Sequence, residues 1–379
     1  MDMKTAIGLA QQGATSRETA AVSRRSATRP AQVLLAGRLT ALSCFGGADM
    51  PMLALARALP DVGVAARFWR PWEDPLAEAG CLHLFGTAEE FLPVVEAARQ
   101  EGVPVVLSPL AWLADADRPA DFPGRQPLRR KVTAWAGYVG RSVCPRWPSR
   151  RRQLYRTVDL LLPNSHAEAQ QLIRKFQVPS QRVHVVPQGA DPRLASADPE
   201  PFAARVGSRH FVLYVGSIEP RNNQLGFLLA MRGEDVTIVF LGDPVADCQW
   251  YEAECRHTAG PQVHFVAGTA AGDPLRASAL AACGCLVVAS GVEAPERIAL
   301  EGGMSGAPLV LFQESPADEY FGHQAIYVEA DDLRAVRYGV LAALARKRSA
   351  SLAEHVRTYF SWSAVAKATR EAYGKVLRK

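Results

Sequence analysis

The sequence predicts an α/β protein made of two Rossmann-like domains, each built on a parallel sheet. Three observations carry this. Short apolar runs alternate with helical stretches along most of the chain, the rhythm of strand, crossover helix and parallel strand. That rhythm pauses after Asp191 and restarts at Phe211, and the stretch between is rich in Ala, Pro and Asp. The 379 residues also exceed the size, roughly 250–300 residues, at which one core stops growing.

The first strand is Gln32–Ala36, followed by the glycine loop Phe45-Gly-Gly-Ala-Asp49 and a helical stretch over Met52–Leu59. Gly46 and Gly47 would let the backbone approach a ligand, although a plain tight turn has the same composition. Val64–Phe68, Cys81–Phe85 and Val103–Leu107 read as further strands, with a helix over Glu89–Glu101 before the last. Runs this continuously apolar suit strands covered on both faces, so His83, His184 and His264 read as core histidines. Thr157–Pro163 is a strand, Asn164-Ser165 offers an N-cap for a helix through Lys175, and Arg182–Val186 closes the half as a strand.

Between these strands lies a basic segment, Arg125–Arg156, with ten Arg or Lys and no acid. Val132, Trp135, Val139 and Val143 fall at helical spacing, close to Arg129, Arg130 and Lys131. A basic amphipathic helix with aromatics suits an anionic membrane surface. A core face with solvated arginines fits the same pattern. Nucleic acid is disfavoured, because no recognisable module accompanies the charge.

In the second half, Phe211–Gly216, Val236–Gly242 and Val263–Val266 are strands, with helices over Leu225–Met231, Trp250–His257 and Pro274–Ala282. Cys285–Ser290 and Ala307–Phe312 are strands flanking a helix that opens at Pro295, a residue suited to the first helical position. Leu333–Ala345 and Ser363–Leu377 are the closing helices. In the Val292–Glu301 stretch, Glu293 falls in the loop at a strand's carboxyl end, and Glu301 lies about 9 Å further along the helix at ~1.5 Å per residue. That offset matches the distance from a nucleotide's diphosphate to its ribose. The helix start offers free N–H groups to phosphate, and a carboxylate two turns on can accept a ribose diol. Solvated helix carboxylates would show the same spacing.

The net charge is +5, and seven cysteines without a C-x-x-C pair make no disulfide framework. A reducing cytoplasm fits this usage. Residues 1–30 lack the apolar core of a signal peptide and read as a disordered extension. The domain reading is therefore 1–30 extension, 31–190 first domain, 191–209 linker, 210–350 second domain and 351–379 helices returning to brace the first domain.

Several motifs in order carry a family likeness: Gly46-Gly47, Pro163-Asn-Ser165, Arg182-Val-His-Val-Val-Pro-Gln-Gly-Ala-Asp191, Tyr214-Val-Gly-Ser-Ile-Glu-Pro-Arg221, the Glu293/Glu301 pair, Glu319-Tyr-Phe-Gly322 and Tyr359-Phe-Ser-Trp362. From Gln32 onward the chain resembles the GT-B-fold retaining glycosyltransferases of the glycogen-synthase-like family 4. The resemblance implies two Rossmann-like domains facing across a cleft, with the nucleotide-sugar on the second and a glycan or lipid-linked acceptor on the first. It implies retaining, metal-independent sugar transfer without a cofactor, with UDP- or GDP-linked sugars as first candidates, in bacterial surface polysaccharide synthesis at the inner membrane face. Glu293 would contact the donor sugar at the reacting carbon and Glu301 would hold the ribose. Gly46, Gly47, Ser217, Arg221, Asn222, Pro295, Glu296, Arg297 and Ile298 would line the rest of the donor site, and Arg129, Arg130, Lys131 and Trp135 a membrane or acceptor surface.

The chain departs from the family pattern at four positions. Ser217 and Asn222 stand where an Arg and a Lys usually meet the diphosphate, and Glu296 where a small Gly usually sits. The usual acceptor-side His is missing after Ser108-Pro109. A second reading follows from these losses: a catalytically impaired transferase-like protein that binds without turnover.

Overall fold

The computed structural model describes residues 32–37, 50–88, 90–110, 150–269, 272–288, 295–313 and 316–377. The first domain opens with β1 (Val33–Ala36), α1 (Met50–Ala58), β2 (Ala66–Phe68), β3 (Cys81–Phe85), α2 (Phe91–Gln100), β4 (Val105–Ser108), α3 (Arg150–Thr157), β5 (Leu160–Leu161) and α4 (His166–Phe176). Its sheet is parallel throughout, in the order β2-β1-β3-β4-β5. Alternate residues of one strand face opposite layers. Val33 and Leu35 join Met52 and Leu55 of α1, whereas Leu34 joins Leu92 and Val95 of α2. Both faces are therefore dry, which explains the near-continuous apolar runs.

A short α5 (Glu200–Val206) precedes the second domain. There follow β6 (Val212–Val215), α6 (Gln224–Ala230), β7 (Ile238–Leu241), α7 (Gln249–Thr258), β8 (Val263–Val266), α8 (Pro274–Ala282), β9 (Cys285–Val288), α9 (Pro295–Met304), β10 (Leu309–Phe312), α10 (Asp318–Phe321) and β11 (Ile326–Val328). The chain ends with α11 (Leu333–Leu344), α12 (Ala350–Phe360) and α13 (Trp362–Leu377). The second sheet is also parallel, ordered β11-β10-β9-β6-β7-β8. Chain direction across it reverses between β6 and β9, so helices cover both faces, α8 and α9 on one and α6 and α11 on the other. Gly302 lets α9 lie close against the sheet, since a Cβ there would come 2.3 Å from Leu286.

Local chemistry sets the helix ends. Ser165, in extended conformation, accepts the Glu168 N–H at 3.0 Å, and the Glu168 carboxylate accepts the Asn164 N–H at 2.6 Å. Asp273 caps α8 by accepting the Leu275 N–H at 2.7 Å, with Pro274 at the first position. Asp332 does the same for α11 through Arg334 and Ala335.

Three sequence expectations differ from the structure. The stretch 191–209, expected as linker, carries a helical turn over Pro192–Ser196 and then α5, whose Phe202 is fully buried against Phe211 and the second-domain core. Arg182–Val186 is no strand: its single bridge is Val183 to Leu161, after a helical turn over Ser180–Arg182. Thr157 ends a helix instead of opening a strand, because Arg150–Thr157 places Leu154 and Tyr155 in the core. The three-residue β11 is too short to show a period in sequence.

The last helix returns across the molecule. α13 packs on α1. Tyr373 Oη lies 2.7 Å from Nδ1 of buried His83, whose Nε2 is 2.9 Å from Ser108 Oγ. Burial pulls the His83 pKa down to about 3, so the ring is neutral. No helix among the described residues is long and apolar enough to cross a membrane.

Candidate active site

In an open α/β sheet, ligands settle at the carboxyl ends of the strands, where strand order reverses. In the second sheet this point lies between β6 and β9. Two groups of side chains are built around it, one in the turn after β6 and one on α8 and α9.

The β6 turn runs from Gly216 to Gln224. Gly242, just after neighbouring β7, approaches it so closely that an added Cβ would lie 1.9 Å from Gly216 O. Its polar side chains largely satisfy each other. Ser217 Oγ donates to Glu219, and Arg221 Nε lies 2.8 Å from Glu219 Oε2. Asn222 Nδ2 and Gln224 Nε2 each donate to Ser217 O at 2.7 Å, and Tyr214 Oη donates to Asn222 O. Asn222 is 6% exposed and Gln224 fully buried, so both serve the turn's own backbone. The Arg221 charge is matched by Glu219, and the turn is close to neutral.

The second group carries a charge excess. Glu301, on the second turn of α9, is only 8% exposed. Its Oε2 accepts Arg276 Nε at 2.8 Å and lies 2.6 Å from Arg276 Nη2, while its Oε1 accepts Arg297 Nη1 at 2.9 Å. Arg276 comes from the first turn of α8 and Arg297 from one turn earlier on α9. Among the described residues, two guanidinium groups against one carboxylate leave one positive charge. Burial pulls the Arg297 pKa below its ordinary value, Glu301 pulls it back up, and neighbouring Arg276 adds to the lowering. Ile298 packs on the domain core beside this group. Both helices start at the carboxyl edge, because each leaves the end of a parallel strand. Their positive dipole ends therefore lie at the carboxyl edge of the sheet.

The structure thus brings together Ser217, Arg221 and Asn222 in one turn, and Arg297 and Glu301 in one ion-pair cluster. Pro295 opens α9, with Glu296 beside it. Glu293, Gly46, Gly47, Arg129, Arg130, Lys131 and Trp135 lie outside the described residues. Sequence reasoning missed Arg276, since one Arg on an amphipathic helix looks like a solvated charge. The Asp273-Pro274 helix start, which places it at the carboxyl edge, was the available signal.

A second contact joins the domains. The Glu319 carboxylate accepts the His166 and Ala167 N–H groups at 2.6 and 2.7 Å, capping α4 from across the molecule. Tyr320 Oη donates to Asn164 O at 2.6 Å and accepts the Gln188 N–H at 3.3 Å. Beside these contacts lies a cavity of about 560 Å³, walled by α4, Val183–Pro187 and Phe360. Burial and the nearby Lys375 charge hold the His184 pKa below its ordinary value there.

No protein-family model and no curated protein matches this chain. Solved structures do. The chain is similar to HepE of Anabaena, solved in complex with UDP and glucose, with TM-score 0.62 and 16% identity over 91% of this chain and 100% of that one. A glycosyltransferase of Rickettsia africae gives TM-score 0.69 and 11% identity, covering 93% and 100%. The lipopolysaccharide outer core galactosyltransferase WaaB, in its apo form, gives 0.60 and 12%, covering 90% and 98%. The chain therefore has the two-domain GT-B fold of these proteins.

Proposed function

We propose that this chain is a retaining, metal-independent glycosyltransferase that moves a sugar from a nucleotide-sugar donor to a glycan or lipid-linked acceptor in surface polysaccharide synthesis. The observation that carries the reading is the buried charge excess on α8 and α9 beside the switch point of a GT-B second domain. An activated sugar's leaving group is a nucleoside diphosphate, and a site with oriented positive charge stabilises it as the bond breaks. HepE's binding of UDP and glucose makes UDP the first nucleotide to test, with GDP next.

In this reading the α9 N-terminus opens at Pro295, and the residues from Glu296 to Ile298 offer backbone N–H groups to the phosphates. Glu293 meets the donor sugar, and Gly46 and Gly47 face the diphosphate from the first domain. Ser217, Arg221 and Asn222 line the β6 side. Glu301 keeps a narrower role than its sequence position suggested. A carboxylate has about four lone-pair sites. The two arginines place three N–H groups against Glu301, so one position on Oε1 remains for a single ribose hydroxyl. Arg129, Arg130, Lys131 and Trp135 rest on an anionic membrane at its inner face, where a lipid-linked acceptor would be found.

The test is turnover. Purified protein incubated with UDP-, GDP-, ADP- and TDP-sugars releases free nucleoside diphosphate from one of them, persists in EDTA and gives a product with unchanged anomeric configuration by NMR. Glu293→Ala abolishes it. Silence with every donor, together with an intact cellular glycan in a Glu293→Ala strain, would refute enzyme action. One observation favours the second reading, binding without turnover: the β6 turn satisfies its own polar groups, with the Arg221 charge balanced by Glu219. Tight nucleotide binding without product would support it.

A further inference from the structure

The positive charge at the switch point comes from an unexpected direction. We infer that Arg276 and Arg297, held by Glu301, supply the diphosphate-neutralising charge that Ser217 and Asn222 do not, with Arg276 as a donor-binding residue and Glu301 as the group that positions both arginines. The inference rests on the nucleotide-sugar reading above and adds which residues carry its charge.

Four observations support it. First, the cluster is over-charged for its burial. Arg276 is 8% exposed and the Arg297 side chain 16%, and among the described residues they share one carboxylate. An uncompensated charge this far from water is costly unless an anion completes it. Second, Arg276 meets Glu301 through a single oxygen. Its Nε donates to Glu301 Oε2 at 2.8 Å, and Nη2 lies 2.6 Å from the same oxygen. Arg297 already occupies Oε1, which prevents the two-oxygen fork that arginine prefers. Third, both arginines sit in the first turns of α8 and α9, which start at the same sheet edge and lie side by side, as the Ser305 Oγ to Leu280 O hydrogen bond of 3.2 Å shows. Fourth, the other polar group at this sheet edge, the β6 turn, is near-neutral and internally bonded, with a fully buried Gln224 Oε1 that has no partner. The complementary ligand is a polyanion with donor groups at one end, the chemistry of a nucleoside diphosphate.

The test compares two titrations by calorimetry at one salt concentration: the nucleoside diphosphate that the wild-type protein binds best among UDP, GDP and ADP, and its parent nucleoside. Arg276→Gln and Arg297→Gln should each raise Kd for the diphosphate by about ten- to a hundredfold, the span for one charged hydrogen bond. Kd for the nucleoside should stay within about twofold. Arg276→Lys, which keeps the charge and is less prone to misfold, should lose less than Arg276→Gln. Equal loss for diphosphate and nucleoside would make the arginines structural and overturn the inference. So would unchanged diphosphate affinity in both Gln variants. A wild-type protein that binds none of the three diphosphates would overturn the nucleotide-sugar reading, and this inference with it.

Discussion

Glu301→Gln tests the ion-pair cluster most sharply. The change keeps size and shape but removes the carboxylate that faces Arg276 at 2.6–2.8 Å and Arg297 at 2.9 Å. With Glu301 8% exposed, the two guanidinium groups left behind have little water to turn to. Breaking a buried pair in this way costs about 3–5 kcal/mol. At ~2–4 °C per kcal/mol for a domain of this size, the unfolding midpoint should fall by roughly 6–20 °C. Because the penalty is stranded charge, removing one arginine as well should relieve it. Arg276→Gln combined with Glu301→Gln should be less destabilised than the sum of the single changes by about 1–3 kcal/mol. Urea denaturation followed by circular dichroism at pH 7 would measure all four proteins of the cycle. Additive losses, or a single loss under about 0.5 kcal/mol, would mean that water reaches the cluster and that no charge excess is stored there.

Three further outcomes are expected. The folded His83 pKa lies below the ordinary value of 6.5, so the unfolded chain binds the extra proton between pH 6.5 and about 3; the His83 contribution is intact above that window and is lost as pH falls through it, by about 1.4 kcal/mol per pH unit. Unfolding measured across the window should show this slope in the wild type and a slope shallower by that amount in His83→Gln. Glu319→Gln weakens the cap that crosses between domains, costing roughly 1 kcal/mol and speeding amide exchange at His166 and Ala167 about fivefold, whereas unchanged exchange would show the cap to be passive. Phe202→Ala should cost about 3–5 kcal/mol in global unfolding, as for a core aromatic, and an effect within about 0.5 kcal/mol would return 191–209 to the status of a linker.

The parallel sheets were legible because strands buried on both faces cannot hide their composition. Cys81–Phe85, Ile238–Leu241 and Leu309–Phe312 are strands inside stretches that read as strands from apolar content alone. α5 escaped because its Ala- and Pro-rich surroundings resemble a linker, and the burial of Phe202 depends on α8, some 70 residues later. The strand expected at Arg182–Val186 failed for a related reason. Its alternation is right, but β5 is only two residues long and offers it one bridge. At the site, spacing placed Arg297 and Glu301 on one helix, and the i,i+4 ion pair follows from that spacing. Arg276 could not be placed the same way, since its partner lies 25 residues away and they meet only once α8 and α9 pack together.

The most direct measurement is a crystal structure of this protein soaked with the nucleoside diphosphate it binds best. The phosphates should lie at the α9 N-terminus between β6 and β9, with a guanidinium of Arg276 or Arg297 within hydrogen-bond distance. A nucleotide bound in the cavity by α4, or anywhere else away from that switch point, would contradict this donor site.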